Sequence, residues 1–177
     1  SRAPWSVAKP YTDPPRGNNT MWDTALGWRY PNPKLAEIFP LQAMGETAEN
    51  LVDLHQISRQ AQDEFAFQSQ SKALAAQAAG RFDDELLPVT VKLRKGEVVV
   101  GRDEGPRADS TLEKLSRLRP AFRSGGSVTA GNSSTLNDGA AGLLLASEAC
   151  VQRLAATPLA VIRGAAQAGV DPTIMGI

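Results

Sequence analysis

The chain has one cysteine, Cys150, and one histidine, His55. A single cysteine excludes an internal disulfide and fits a reducing compartment, so a cytoplasmic setting is expected. One histidine and one distant cysteine do not make a closed zinc site, and no metal is expected. Net charge is also missing: nineteen Lys and Arg balance nineteen Asp and Glu. No global field therefore draws in nucleic acid or an anionic membrane, although a local basic cluster can still hold a phosphate. Long apolar runs are absent as well. The best, Ala140–Ala146, is far too short to cross a bilayer. No glycine loop of the dinucleotide or nucleoside-triphosphate type is present. The chain opens Ser-Arg-Ala-Pro-Trp, with neither an initiator Met nor a signal-peptide pattern, which is expected of a fragment or a processed product.

What is present is ordinary soluble-protein composition, 42% hydrophobic and 21% charged over 177 residues. That length buries one core, or a core plus a partial second layer. Residues 1–45 hold all three tryptophans and much Pro, Asn and Gly, with no persistent period. They read as extended loop with a short helix near Lys34–Ile38. From Glu46 the pattern turns helical through Ala48, Leu51, Val52 and the stretch His55–Ile57. Ser58 then caps a long helix, about Arg59–Ala79, that places Ala61, Phe65, Ser69, Ala73 and Ala76 on one face and stops at Gly80. Leu86–Leu93 and Glu97–Arg102, joined by Arg94-Lys95-Gly96, predict a β-hairpin. Ser110 and Glu113 have capping-box spacing ahead of a short helix with Leu112, Leu115 and Leu118, which Pro120 ends. After a glycine-rich loop, Asn137 or Asp138 caps an apolar helix over about Gly139–Leu154, and Leu159–Gly164 reads as a buried strand.

Five ordered motifs run along the chain. Ser127–Ala141 reads S-V-T-A-G-N-S-S-T-L-N-D-G-A-A. Upstream stand Met44-Gly45-Glu46-Thr47-Ala48-Glu49-Asn50, the Ile57-Ser58-Arg59 to Phe65-Ala66 stretch, and Leu112-Glu113-Lys114-Leu115 to Pro120-Ala121-Phe122. Gly169–Gly176 follows. Together they resemble the thiolase family. Leu26-Gly27-Trp28-Arg29-Tyr30 with Asn32-Pro33 is further similar to its 3-oxoadipyl-CoA branch.

The resemblance implies an α/β thiolase-like fold, here mainly the inserted α+β loop domain plus one helix and one strand of the N-terminal half. Residues 1–5 would end a segment of that half, 6–136 form the loop domain over coenzyme A, and 137–177 return. It implies coenzyme A as substrate rather than as a resident cofactor, and acyl-CoA and a second copy of the enzyme (dimer or tetramer) as partners. Arg107 matches an arginine against the adenine end of coenzyme A, where a planar guanidinium stacks on a base and faces phosphates. Taken alone it reads as a solvated loop arginine. Ser134 matches a serine that hydrogen-bonds pantetheine, with Ala130 and Gly131 on the same loop, although Gly, Asn and Ser are also ordinary turn residues. Phe122 matches an aromatic along pantetheine and Met44 a residue at the acyl end; both also suit core packing.

The family's nucleophilic cysteine, its histidine and its second cysteine have no motif counterpart in these 177 residues. Cys150, late on an apolar helix, reads as a small buried hydrophobe. No catalytic residue is therefore assigned. The rival reading is a non-catalytic module, an isolated loop domain that binds coenzyme A or assembles with other chains. The purified 177-residue chain is expected to show no cleavage of acetoacetyl-CoA or 3-oxoadipyl-CoA in a thiolysis assay. Turnover that vanishes in Cys150→Ala would reverse the reading of that cysteine.

Overall fold

The computed structural model describes residues 3–9, 16–25 and 27–177. Ser1, Arg2, residues 10–15 and Leu26 lie outside them, and with these parts of the opening segment and of the Leu26–Tyr30 motif. Three-residue strands β1 (Trp5–Val7) and β2 (Met21–Asp23) pair antiparallel, Ser6 opposite Trp22. The Thr24 hydroxyl donates to the Pro4 carbonyl, and the Trp22 and Tyr30 rings lie 5.9 Å apart. So short a ladder leaves no alternation to detect, which is why the sequence read as loop there.

Helix α1 (Pro33–Ile38) starts on Pro33, with the Asn32 carboxamide oxygen capping the Lys34 N–H at 3.0 Å. Helix α2 (Met44–His55) begins earlier than its apolar spacing suggests and ends with Gln56 in the left-handed region at φ 53°. Helix α3 (Arg59–Ala78) has the expected cap, Ser58 Oγ accepting from the Ala61 N–H at 3.1 Å, and left-handed Gly80 follows it. Its orientation departs from expectation. Of the expected face Ala61, Phe65 and Ser69 are exposed and Ala73 and Ala76 half-buried, whereas Asp63 is buried and Gln62, Ala66, Phe67, Gln70 and Gln77 are half-buried. In an alanine-rich helix the apolar period is weak, and hydrogen bonds from Gln62, Asp63, Gln70 and Gln77 choose the inward face.

The hairpin forms as expected, with β3 (Val89–Leu93) and β4 (Gly96–Val100) in register Val91 to Val98. One face carries Val89, Val91, Leu93, Val98 and Val100; the other carries the Lys92–Glu97 ion pair at 3.9 Å. Helix α4 (Leu112–Ser116) is capped by Thr111, not Ser110: the Thr111 hydroxyl accepts from the Lys114 N–H at 3.1 Å. Glu113 pairs with Arg117 instead of reaching back to a cap.

The expected apolar helix from Gly139 is not formed. Only Glu148–Leu154, helix α5, is helical, and its cap is Ser147 rather than Asn137 or Asp138. Leu143 and Leu144 are 93% exposed. A seven-residue apolar run does not distinguish strand from helix, and Gly139 and Gly142 disfavour the helix. Leu159–Gly164 forms no strand among the described residues, since a strand exists only by pairing with a neighbour. The 3₁₀ turn Pro172–Ile174 packs back on α2, where Asn50 Nδ2 donates to the Thr173 carbonyl at 2.8 Å.

The core is mainly polar. Among the described residues Leu115 and Val128 are the buried apolar side chains, against buried Thr47, Glu49, Asp63 and Thr129. The Glu49 carboxylate accepts from the Ser127 N–H at 2.8 Å and the Val128 N–H at 2.8 Å, fastening α2 to the 120–134 loop. Gly126 permits that approach, since a Cβ there would lie 2.2 Å from Glu49 Oε1. Losing the carboxylate strands one buried and one part-buried donor, a cost of about 3 kcal/mol. Glu49→Ala and Gly126→Ala should each lower the denaturant midpoint, and the double variant should cost well short of their sum because both break one contact. Simple additivity in chemical unfolding would contradict this coupling.

Candidate functional site

The 120–134 loop is the centre of the candidate site, and its shape is dictated from within. The Ala121 N–H donates to the Val128 carbonyl at 2.9 Å, and Pro120 bridges Thr129, so the two limbs lie side by side. The Thr129 hydroxyl, fully buried, accepts from the Gly131 and Asn132 N–H groups at 3.2 and 3.3 Å. Asn132 ties the loop to α3. Its Oδ1 accepts from the Thr129 N–H at 2.7 Å, while Nδ2 donates to Asp63 Oδ1 at 3.0 Å and the Ser127 carbonyl at 3.1 Å. The other Asp63 oxygen pairs with Arg59 Nε at 2.8 Å. Arg59 Nη2 also donates to the Leu115 and Leu118 carbonyls at 2.6 and 3.1 Å, closing the end of α4.

On the α2 side Arg123 gathers Glu46 at 3.3 Å, Asp53 at 2.9 Å and Asn50 Oδ1 at 2.6 Å. The Phe122 ring lies on the main chain of Gly45, where a Cβ would fall 2.1 Å from ring Cγ. A side chain at position 45 is therefore excluded while the ring stays there. Phe122 keeps 42% of its surface open and Met44, the neighbour of Gly45 at the start of α2, keeps 66%. An open cleft of about 350 Å³ runs along Arg119–Gly125 beside the ring.

The other expected site residues fall in two places. Ala130, Gly131 and Ser134 follow Thr129 on the same loop. Ala130 and Ser134 are exposed, whereas Gly131 packs so closely on α4 that a Cβ would meet Leu118 at 2.4 Å and Leu115 at 2.7 Å. Arg107 stands apart on the loop after the hairpin. Its guanidinium forms no hydrogen bond or ion pair with a described residue, and its N–H donates to Gln70 Oε1 on α3 at 2.8 Å. Nearby, the Lys114 ammonium hydrogen-bonds Asp109 and holds its carboxyl below the usual carboxylate range, its charge acting with the bond. Gln70 is seven residues beyond Asp63, so along α3 the two loops are anchored about 10 Å apart. A larger cleft of about 460 Å³ between α3 and α4, lined by Arg59, Asp63, Leu112 and Glu113, contains none of the expected residues.

Cys150 lies half-buried on α5 with Arg153 Nη2 3.5 Å from its sulfur, and His55 is exposed at the end of α2. Glu49, Asp63, Arg123 and Asn132 received no role from the sequence. For Glu49, Asp63 and Asn132 the signal was visible nonetheless, as acid and amide residues inside motifs that offered them no chemistry; Arg123 lies just outside one.

Residues 15–149 match the family model described as "Thiolase, N-terminal domain". The chain belongs to the thiolase family. It is 47% identical over 177 residues to the beta-ketoadipyl-CoA thiolase of Pseudomonas aeruginosa, covering all of this chain and 44% of that protein. A probable acetyl-CoA acyltransferase of Staphylococcus aureus is 54% identical over 144 residues, 81% of this chain and 37% of its own length. The solved acetyl-CoA acetyltransferase of Bacillus anthracis superposes with a TM-score of 0.74 at 46% identity, covering 98% of this chain and 43% of that one. The α/β thiolase-like fold expected from the motifs is thus the one found. This thiolase chain spans less than half the length of the relatives it matches. No helix among its described residues is long and apolar enough to cross a membrane.

The Asn132–Asp63 contact yields a pH-dependent test. Asn132→Asp replaces the donor at 3.0 Å with a second carboxylate oxygen, and two carboxylates sharing a buried site resist joint ionisation. One folded-state pKa then rises above its unfolded value, so protonation favours the fold and stability is lost as pH climbs through the raised pKa. Relative to wild type, the variant's thermal midpoint deficit should be largest near pH 7 and shrink toward pH 4.5. A deficit independent of pH would place the cost elsewhere.

Proposed function

We propose that the protein carrying this chain is an acyltransferase that cleaves or forms a 3-oxoacyl-CoA using coenzyme A and acetyl-CoA. The supporting observation is the family match across 15–149, a range that includes the loop whose inner face is locked while Phe122, Ala130 and Ser134 remain open. In the cleavage direction a cysteine thiolate adds to the 3-oxo carbonyl and the bond between C2 and C3 breaks. The two-carbon fragment leaves as the acetyl-CoA enolate and takes a proton from a second cysteine. Coenzyme A thiol then displaces the acyl group from the first cysteine, with a histidine assisting the thiolates. Those groups match no motif in this chain, whose share of the work is to bind.

In this reading Met44 lines the acyl end, Phe122, Ala130, Gly131 and Ser134 follow pantetheine, and Arg107 takes the nucleotide. An exposed loop surface with the Ser134 hydroxyl suits pantetheine, which carries two amides, and a guanidinium without a hydrogen-bond partner suits a base beside phosphates. The beta-ketoadipyl-CoA thiolases among the relatives support a 3-oxo dicarboxylic acyl chain, in line with the Leu26–Tyr30 motif and Asn32-Pro33. In this reading the whole enzyme works as a cytoplasmic homo-oligomer. The alternative of a coenzyme A-binding module without catalysis has no counterpart among the relatives named.

Arg107→Ala in the whole enzyme tests the assignment. Loss of stacking and charge is worth about 1–2 kcal/mol, roughly tenfold in KM for CoA thioesters. A pantetheine thioester lacking the nucleotide should be little affected. Equal losses for both substrates would move Arg107 from the ligand to the fold.

A further inference from the structure

We propose that Gln70, with Gln77, is a positioning residue that presets the Arg107 loop for the nucleotide of coenzyme A; the purpose assigned here rests on the function proposed above. The loop between β4 and α4 has little of its own to hold it. Residues 101–111 contain no helix or strand, and most are exposed. Its fixed points come from α3. Gln70 Oε1 accepts the Arg107 N–H at 2.8 Å, and Gln77 Nε2 donates to the Asp103 carbonyl at 3.3 Å. The two glutamines are seven residues apart, two turns on one face of the helix, so they reach the loop at two points spaced along one rigid axis. Within the loop the Ser110 N–H donates to the Arg107 carbonyl at 3.3 Å, which fixes the other side of the same residue.

The main chain of Arg107 is thus bound on both sides, while its guanidinium makes no hydrogen bond or ion pair with a described residue and only its charge reaches the Asp109 carboxyl. A fixed backbone with an unbonded guanidinium is the arrangement expected of a preorganised ligand contact, in which ordering is completed before binding. Gln70 also has the chemistry the position requires: a neutral acceptor that satisfies the N–H without neutralising the arginine beside it.

The test is made in the whole enzyme with Gln70→Met, which keeps the length and removes the acceptor, and Gln70→Glu, which keeps an acceptor at the same reach. Hydrogen exchange at the Arg107 amide should quicken about tenfold in Gln70→Met and return toward wild type in Gln70→Glu. KM for acetoacetyl-CoA should rise about fivefold in Gln70→Met with kcat held, and KM for acetoacetyl-pantetheine should stay unchanged. An unchanged Arg107 amide in Gln70→Met overturns the brace alone. Faster exchange with equal KM losses for both substrates also overturns it, by making Gln70 merely structural. Should the wild type fail to distinguish acetoacetyl-CoA from its pantetheine analogue, the reading of Arg107 falls and the purpose of the brace with it.

Discussion

The site depends on one buried anion. Glu49 places a carboxylate under the 126–128 turn, where consecutive main-chain N–H groups converge on it as they would on a bound phosphate. A charge buried to 2% exposure is tolerable only when its oxygens are satisfied this fully. Everything beyond follows from that anchor. Val128 is pulled inward, the limb from Pro120 is drawn beside Thr129, and the outer edge of the turn is left to face solvent. Asp63 does the same on α3 through Asn132, so two acids on two helices define the loop that a ligand would meet.

This polar construction explains which parts were legible in the sequence. Local signals were: the Ser58 cap, the long α3 and the hairpin all rest on neighbours in the chain, and each was found close to its expected place. The inward face of α3 was not legible, because amide and carboxylate partners 26 to 69 residues away choose it. The stretch after Gly139 misled for a related reason. Its apolar residues are exposed and meet no partner element among the described residues, and no regular element forms before Ser147.

The candidate site was named by resemblance more than by physics. Phe122, Ala130, Gly131 and Ser134 were named from motifs, and the structure adds why such residue types stand there. Gly131 is small because Leu115 and Leu118 fill its space, and Gly45 is small because Phe122 does. These two glycines therefore serve packing first, and the surface that remains open beside them is what packing leaves. Arg107 could be named but its support could not, since a glutamine on a helix carries no signal until its partner is seen.

The Glu49 contact joins residues 78 and 79 positions apart, and Arg123 reaches back 70 to 77. Contacts so distant in sequence carry a loop-closure entropy that the hairpin and α3, which close locally, do not. That cost is offset by burial, since Glu49, Val128 and Thr129 are among the most enclosed of the described residues. Segments almost eighty residues apart thus meet at the place where the unit is most deeply shielded from water.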